Sequence, residues 1–398
     1  MDYKAKICMI SSMHGLFDDR IYWKEALSLK NHGYDVCHLG IGETDKEFTS
    51  EQGIKIIQVG RRKYFDNPYF DKLYRLLTFR KNIYKKILKI ALELKADIYH
   101  FHDLQINKIG KKLKEFPHRP KVIYDVHEDY RDMLVHNVKK NNILRIPVNI
   151  YASYIMKWEL ACSKNYDFII TVLKYINDKF IPVLGNDNVE IIYNYTNFSP
   201  DKEEALKQEK LYDVIYCGLI NEVRGIYQII ESARILKSKK HDIKILVIGF
   251  IPTMKLRREI QLRIKEYDLH SNLIIKDSVP YKNIQEYYQK SKIGLGIFMP
   301  IKVFYNSIQA KIFEYMAYGL PLVCSNFGYI NKFVTESNSG IPVNPESPEE
   351  ISDAILKLLN DRNLYEKYSM NGYNAVKNMY NWEIEENKLI NIYSRLLS

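Results

Sequence analysis

Short apolar runs alternate with longer amphipathic stretches along the chain. In the first half the runs fall near residues 6–11, 35–41, 54–59, 97–101, 121–126, 167–172 and 189–193, and each reads as a buried strand. Helical patterns fill most of the intervals; the first, from Asp19 to His32, is closed by Gly33. A polar stretch from Thr196 to Lys210, with Pro200 and the charged run DKEEALKQEK, then breaks the rhythm. The second half resumes it, with strands near 212–217, 243–249, 272–276, 292–298, 321–325 and 341–343, and its carboxyl-terminal stretch is helical. Strands alternating with helices imply an α/β protein whose parallel sheets are covered on both faces. The expected organisation is one domain over 1–195, a linker over 196–210 and a second domain over 211–381. Two such halves place a cleft at the carboxyl ends of their strands, where open α/β folds bind ligands.

The stretch from Asn306 to Ser325, NSIQAKIFEYMAYGLPLVCS, concentrates the chemistry. It reads as a short helix that stops at Gly319 and Pro321 and feeds a buried strand. Ile312, Phe313, Met316 and Ala317 can turn inward together, while Lys311 and Glu314 sit three residues apart on the same helix. An acid and a base near the start of a buried helix suit a polar, anionic ligand. The first N–H groups of the helix lack intrahelical partners and suit a phosphate. A plain i,i+3 ion pair is the other reading of the two charges, although burying one is costly.

This block resembles the donor-site motif K-[IL]-F-E-Y-[ML]-A-x-G-x-P of retaining glycosyltransferases of family 4, in the form typical of members that build bacterial surface polysaccharides. The resemblance implies the GT-B fold: two Rossmann-like domains with parallel sheets facing a central cleft, the second holding a nucleotide-diphosphate sugar. It also implies that the last helix, 382–397, returns to the first domain. Glu314 matches the second glutamate of the family's E-x7-E pattern, which typically accepts hydrogen bonds from ribose hydroxyls. The position of the first is Asn306, a departure that removes a carboxylate beside the donor sugar. Gly218-Leu-Ile-Asn-Glu-Val-Arg224-Gly225 resembles the G-R-x-x-x-x-K-G element. Arg224 takes the Lys position and can grip phosphate with two N–H groups; Leu219 replaces a customary Arg, for which Lys311 is the substitute. Gly249, Tyr281, Ser325 and Gly328 fall at further turns on the donor side, Tyr281 where the base usually lies. A surface tyrosine is an equal reading in a chain with 32 of them. There is no D-x-D motif, and no metal is expected; Arg224, Lys311 and a helix N-terminus would stabilise the leaving phosphate.

In the first domain, the loop from Ser11 to Arg20 resembles the H-x-x-x-D-x-R opening of a subset of the family. It implies acceptor contacts from His14, Asp18 and Arg20, with Gly15 on the donor side, while Asp19 reads as a helix cap. His102-Asp103 resembles the H-x-H-D element and adds two acceptor residues. Asp125-Val-His127-Glu128 resembles D-x-H-E, whose histidine contacts the donor sugar or leaving phosphate in relatives. His127, Asn306 and Glu314 are the expected catalytic residues. No general base is assigned, because in enzymes of this kind the leaving phosphate is thought to take the acceptor proton.

Composition changes the picture in two places. The five cysteines form no C-x-x-C pair, and four lie in strand-like runs. That argues against a disulfide framework or zinc site and fits a reducing cytosol. The amino terminus has no signal-peptide core, and no run reaches the roughly 20 apolar residues of a spanning helix. Lys and Arg outnumber Asp and Glu by 59 to 48, a net charge of +11. The excess concentrates in 61–95, where Leu73, Leu76, Leu77, Ile83, Ile87, Leu88 and Ile90 recur near helical spacing among cations. That suits a helix lying on an anionic membrane; a solvated helix over the sheet is the plainer reading. The expectation is therefore a peripheral enzyme at the inner face of the cytoplasmic membrane, moving a hexose from a nucleotide-diphosphate sugar to a lipid-linked saccharide acceptor. A nucleotide-sugar 2-epimerase on the same scaffold is one alternative, opposed by the KIFEYMA block. A basic nucleic-acid-binding protein is another, opposed by the lack of a recognised DNA or RNA motif.

Overall fold

A computed structural model describes residues 3–60, 81–136, 145–196, 209–240 and 242–398, apart from the side chains of residues 81, 82, 136, 281 and 282. Residues 61–80 of the basic stretch, 197–208 of the expected linker and the side chain of Tyr281 thus lie outside the described residues. The chain divides into two compact units, Met1–Asn194 with Glu385–Ser398, and Tyr195–Ile384.

The first unit is built on the strands Lys6–Ile10 (β1), Asp35–Gly42 (β2), Lys46–Thr49 (β3), Lys55–Gly60 (β4), Ile98–His102 (β5), Lys121–Val126 (β6), Phe168–Thr171 (β7) and Val189–Ile191 (β8). They form one sheet in the order β3-β4-β2-β1-β5-β6-β7-β8, parallel except where β3 runs against β4. The strand β3 is absent from the sequence reading, because all four of its residues are exposed and show no apolar alternation. After β1 the chain enters a helix whose residues Asp19–Ala26 wind as a π-helix before continuing as Leu27–Asn31. Asp18, not Asp19, caps it: Oδ1 of Asp18 accepts the N–H groups of Arg20 and Ile21 at 2.9 and 3.1 Å. Asp19 already lies within the helix and holds Lys24 at 2.6 Å. Residues five apart diverge around an α-helix but come nearer to one side in the wider π turn. The same geometry pairs Arg20 with Glu25, Nε to Oε1, at 2.9 Å. Gly33, at φ +85°, ends the element.

The second unit carries Tyr212–Cys217 (β9), Ile245–Ile248 (β10), Leu273–Lys276 (β11), Ser291–Gly296 (β12), Leu322–Ser325 (β13) and Gly340–Val343 (β14). Their order is β11-β10-β9-β12-β13-β14, all parallel. This is the doubly wound arrangement in which strand order reverses beside the first strand, here between β9 and β12. Ile, Val and Leu side chains from these strands and from the helices Ile226–Lys239 and Pro348–Asn360 fill its core. The helix Trp382–Leu397 begins in this unit, and its residues from Glu385 onward belong to the first.

Candidate active site

In the second unit a cavity of about 460 Å³ lies at the carboxyl ends of β9 and β10, walled by the helix Ala310–Ala317. Gly218, at φ +132°, leads the chain out of β9. A Cβ on Gly249, at the end of β10, would stand 1.6 Å from the Gly218 carbonyl oxygen, so only glycine lets these two loops meet. Arg224 closes a tight turn held by Asn221, whose Oδ1 accepts the Arg224 N–H at 3.0 Å. Its guanidinium lies over the rings of Phe298 and Phe304 at 6.0 and 5.8 Å.

Lys311 is the unusual group. It is only 8% exposed, and Nζ sits 3.6 Å from the centre of the Tyr216 ring and 4.9 Å from that of Phe298. No hydrogen-bond acceptor reaches Nζ among the described residues. Burial, and then the charge of Arg224, push its pKa well below the lysine range. Both cations converge on one point: a Cβ on Gly218 would lie 3.7 Å from Arg224 Nη1 and 3.9 Å from Lys311 Nζ. Aromatic faces partly offset the cost of a buried ammonium, but a charge-assisted partner is what would satisfy it. Glu314 does not fill that role. Its Oε2 accepts the Tyr288 hydroxyl at 2.7 Å, so the i,i+3 ion pair is not formed.

Gly218, Arg224, Gly249, Lys311 and Glu314 are thus brought together around one cavity. Three others in this unit, Ser325, Gly328 and Asn306, expected at the donor or in catalysis, are not. Ser325 is fully buried; its Oγ accepts the Phe298 N–H at 2.8 Å and donates to the Phe298 carbonyl at 2.9 Å, and so ties β13 to the end of β12. Gly328, at φ +67°, allows a close approach, but to Phe304 and Tyr305, which a Cβ would meet at 2.8 Å. Asn306 ends the short helix Lys302–Tyr305 and is not among the lining residues. The sequence reading missed Tyr288, Ile284 and Gln309 in the lining. Ile284 and Tyr288 are four apart on Tyr281–Gln289, a spacing that does signal a shared helix face.

The first unit holds a separate polar cluster at the carboxyl ends of β5 and β6. Asp125 is its hub: Oδ2 lies 3.0 Å from Arg20 Nη2, 3.3 Å from His127 Nε2 and 3.6 Å from His102 Nδ1. Arg20 Nη1 also donates to the Ile192 carbonyl at 2.9 Å. Burial pushes Asp125 up, but Arg20 and then His127 outweigh it and hold the carboxyl well below its usual range. Burial moves His102 down to about 4 and pushes His100 well below the imidazole range, which favours the neutral form of both rings. Asp103, at φ +78°, accepts the N–H groups of Ser12 and Met13, each at 2.7 Å, and stands 2.7 Å from His14 Nδ1.

Arg20, His102 and Asp103, expected at an acceptor, have their side chains occupied within the domain. All three are buried and engaged inward, so they brace the loop and the hub from beneath. Asp18 commits one carboxylate oxygen to its cap. His14 and His127, with ring centroids 4.7 Å apart, are the members that reach the surface. Gly15 is exposed in the same loop, with nothing within 4 Å of its Cβ position. Glu25, His100, His102 and Asp125 offer ligand atoms within 4.8 Å of one another, a set whose chemistry suits Zn²⁺. Arg20, however, already bonds both carboxylates, so a guanidinium acts where the charge of an ion would.

Two family profiles match this chain in succession. Glycosyltransferase Family 4 covers residues 9–199, and Glycosyl transferases group 1 covers 197–375. The chain belongs to the family 4 glycosyltransferases. Its members transfer a sugar from a nucleotide sugar, and the epimerase and nucleic-acid readings have no support beside that membership. The glycosyltransferase is 20% identical to an uncharacterized glycosyltransferase of Methanocaldococcus jannaschii, over 92% of this chain and 91% of that one. It is 27% identical to the capsular polysaccharide biosynthesis glycosyltransferase CapM of Staphylococcus aureus, over 60% and 61%. Its fold is similar to that of HepE from Anabaena, solved with UDP-glucose, at a TM-score of 0.69 and 11% identity, covering 98% of this chain and all of that one (100%). Sucrose-phosphate synthase from Thermosynechococcus elongatus matches at a TM-score of 0.69 and 17% identity, covering 99% of each. The glycosyltransferase therefore has the GT-B fold of two Rossmann-like domains with parallel sheets.

Proposed function

We propose that this protein is a retaining, metal-independent hexosyltransferase that takes its sugar from a UDP-sugar and passes it to a lipid-linked saccharide in the synthesis of a cell-surface polysaccharide. The carrying observation is the buried, unpartnered amino group of Lys311 beside Arg224 at the end of β9. Two fixed cations in a low-dielectric pocket are the electrostatics a departing diphosphate requires. Glu314, held by Tyr288, would take the ribose hydroxyls, and the loop Gly218 with Gly249 would admit the phosphates closely. HepE was solved with UDP-glucose, which supports uridine as the base; the likeness to CapM supports the surface-polysaccharide assignment. Residues 1–195 would serve the acceptor, 211–381 the donor, and 196–210 would link them. His14 and His127 would be the polar groups presented by the first domain, and a peripheral position at the inner membrane face would bring a lipid-linked acceptor within reach.

The test is a thermal-shift and calorimetric screen of UDP, GDP, dTDP and their sugars, with and without a chelator. A ligand that binds only the native state raises its melting point with occupancy. UDP should give the largest shift, unchanged by the chelator. A shift that needs a divalent ion, or none with any nucleotide diphosphate, refutes the proposal.

A further inference from the structure

The helix Arg145–Ser163 presents the wrong face to solvent. Its inner side carries Ala152, Glu159 and Ser163, and Glu159 Oε1 accepts the Tyr124 hydroxyl at 2.6 Å. Its outer side carries Ile146, Ile150, Tyr151 and Tyr154, which are 73%, 68%, 54% and 64% exposed. Positions 146, 150 and 154 follow one another at i, i+4 and i+8, so these side chains form one stripe. The solvent face of a globular protein's helix is normally the charged one. A contiguous apolar stripe of this kind marks a surface that meets something.

The charges around the stripe say what. Lys157 is exposed beyond its far end and Arg145 is half-buried at its near end. Glu159, the helix's one acid, points inward, so no exposed residue of the helix is acidic. The helix Asn107–Lys114 packs beside it and shows Lys108, Lys111 and Lys112 outward; Lys81–Leu94 packs beside that one and adds Lys85, Lys86 and Lys89, of which Lys86, Lys89 and Lys111 pair with Asp45, Glu93 and Glu115 and leave Lys85 and Lys112 as the excess. Apolar and tyrosine side chains among cations match an anionic lipid surface, with hydrocarbon below and phosphate above. Tyrosine favours that boundary because its ring is apolar and its hydroxyl polar. A second copy of the chain fits less well, because pairing this face with itself opposes like charges.

We infer that the stripe Ile146, Ile150, Tyr151 and Tyr154 is a membrane-docking face of the first domain, seated in the interface of an anionic bilayer. The sequence alone points to residues 61–95; the structure adds a different helix. The inference extends the membrane part of the proposed function and uses nothing in the donor pocket, so nucleotide binding is an independent control.

The experiment is co-sedimentation of the full chain with phosphatidylcholine vesicles, with or without phosphatidylglycerol. Wild type should sediment with the anionic vesicles and only weakly with the neutral ones. The double substitution Ile146→Ser/Ile150→Ser should lower the partition coefficient at least about tenfold. Tyr151→Ser/Tyr154→Ser, a second pair, should act in the same direction, so that if one variant folds poorly the other still decides. The melting shift with UDP should match wild type in both. Failure of wild type to bind anionic vesicles, or equal binding by wild type and both variants, overturns the inference. So does a wild-type dimer in sedimentation velocity that the substitutions dissolve.

Discussion

Replacing Lys311 by methionine should make the protein more stable and a poorer binder at once. Methionine keeps the length of the side chain and its contact with the Tyr216 and Phe298 rings, but removes a buried amino group that has no hydrogen-bond acceptor among the described residues. A buried polar group without a partner costs about 1–3 kcal/mol. Unfolding of a unit this size shifts by about 2–4 °C per kcal/mol, so the second domain should melt several degrees higher. The loss in binding has the opposite sign. A hydrogen bond to a charged group contributes about 1.5–3 kcal/mol, so the dissociation constant for UDP should rise about ten- to a hundredfold. The pH dependence follows from the direction of the shift. Burial and Arg224 tip Lys311 toward its neutral form, and a bound diphosphate favours the ammonium. Binding therefore takes up a proton, and affinity falls as the pH rises above the depressed pKa. Calorimetry in two buffers of different ionisation enthalpy reads this directly, beside a melting curve of the unliganded variant. A Lys311→Met protein that melts lower than wild type, or binds UDP as tightly with the same proton uptake, would refute the reasoning.

Glu314→Ala should keep the wild-type melting point within a few degrees and lose transfer about a hundredfold or more; Tyr288→Phe, which frees Glu314 Oε2 from its 2.7 Å bond, should cost only a few-fold, both read as kcat/KM. Gly249→Ala sets a Cβ against the Gly218 carbonyl and should destabilise by about 1–3 kcal/mol or more while abolishing the UDP-induced shift. Arg20→Met leaves two carboxylates buried without their guanidinium and should cost about 3–5 kcal/mol in urea unfolding. In Asp103, burial raises the pKa, but the bond and charge of His14 and the Ser12 and Met13 N–H groups outweigh it, so the net shift is downward. Its contribution is present above the unfolded carboxyl's pKa of about 3.9 and is lost as the pH falls toward the folded value. Asp103→Asn should therefore be less stable at neutral pH and show a shallower loss in acid.

What could be read from the sequence followed what had a periodic signal. Every strand of the second domain is visible as an apolar run, and the four inner ones are buried almost throughout. The strand Lys46–Thr49 is not, because an exposed edge strand buries nothing. Lys311, Glu314, Arg224 and two glycines could be expected around one cavity, because motif spacing fixes loop and helix positions. Whether a polar side chain at a strand end faces outward or inward has no such signal. Arg20, His102 and Asp103 look like ligands by type and place, and only the π turn and the hub at Asp125 turn them inside. Asp18 and Asp19 are equivalent as caps on paper; the register of the helix decides between them.

The return of Glu385–Ser398 to the first domain has a consequence for how the chain is made. The Tyr393 hydroxyl lies 2.8 Å from His100 Nδ1, in the middle of a buried set of histidines and acids. A ribosome releases these partners in order, with the whole of Tyr195–Ile384 synthesised between them. Domains usually fold as they emerge, yet this one must wait with its charged interior open until its sealing helix arrives. A premature stop or a nick near residue 385 would therefore injure the amino-terminal half of the protein, at a point remote in sequence from the lesion.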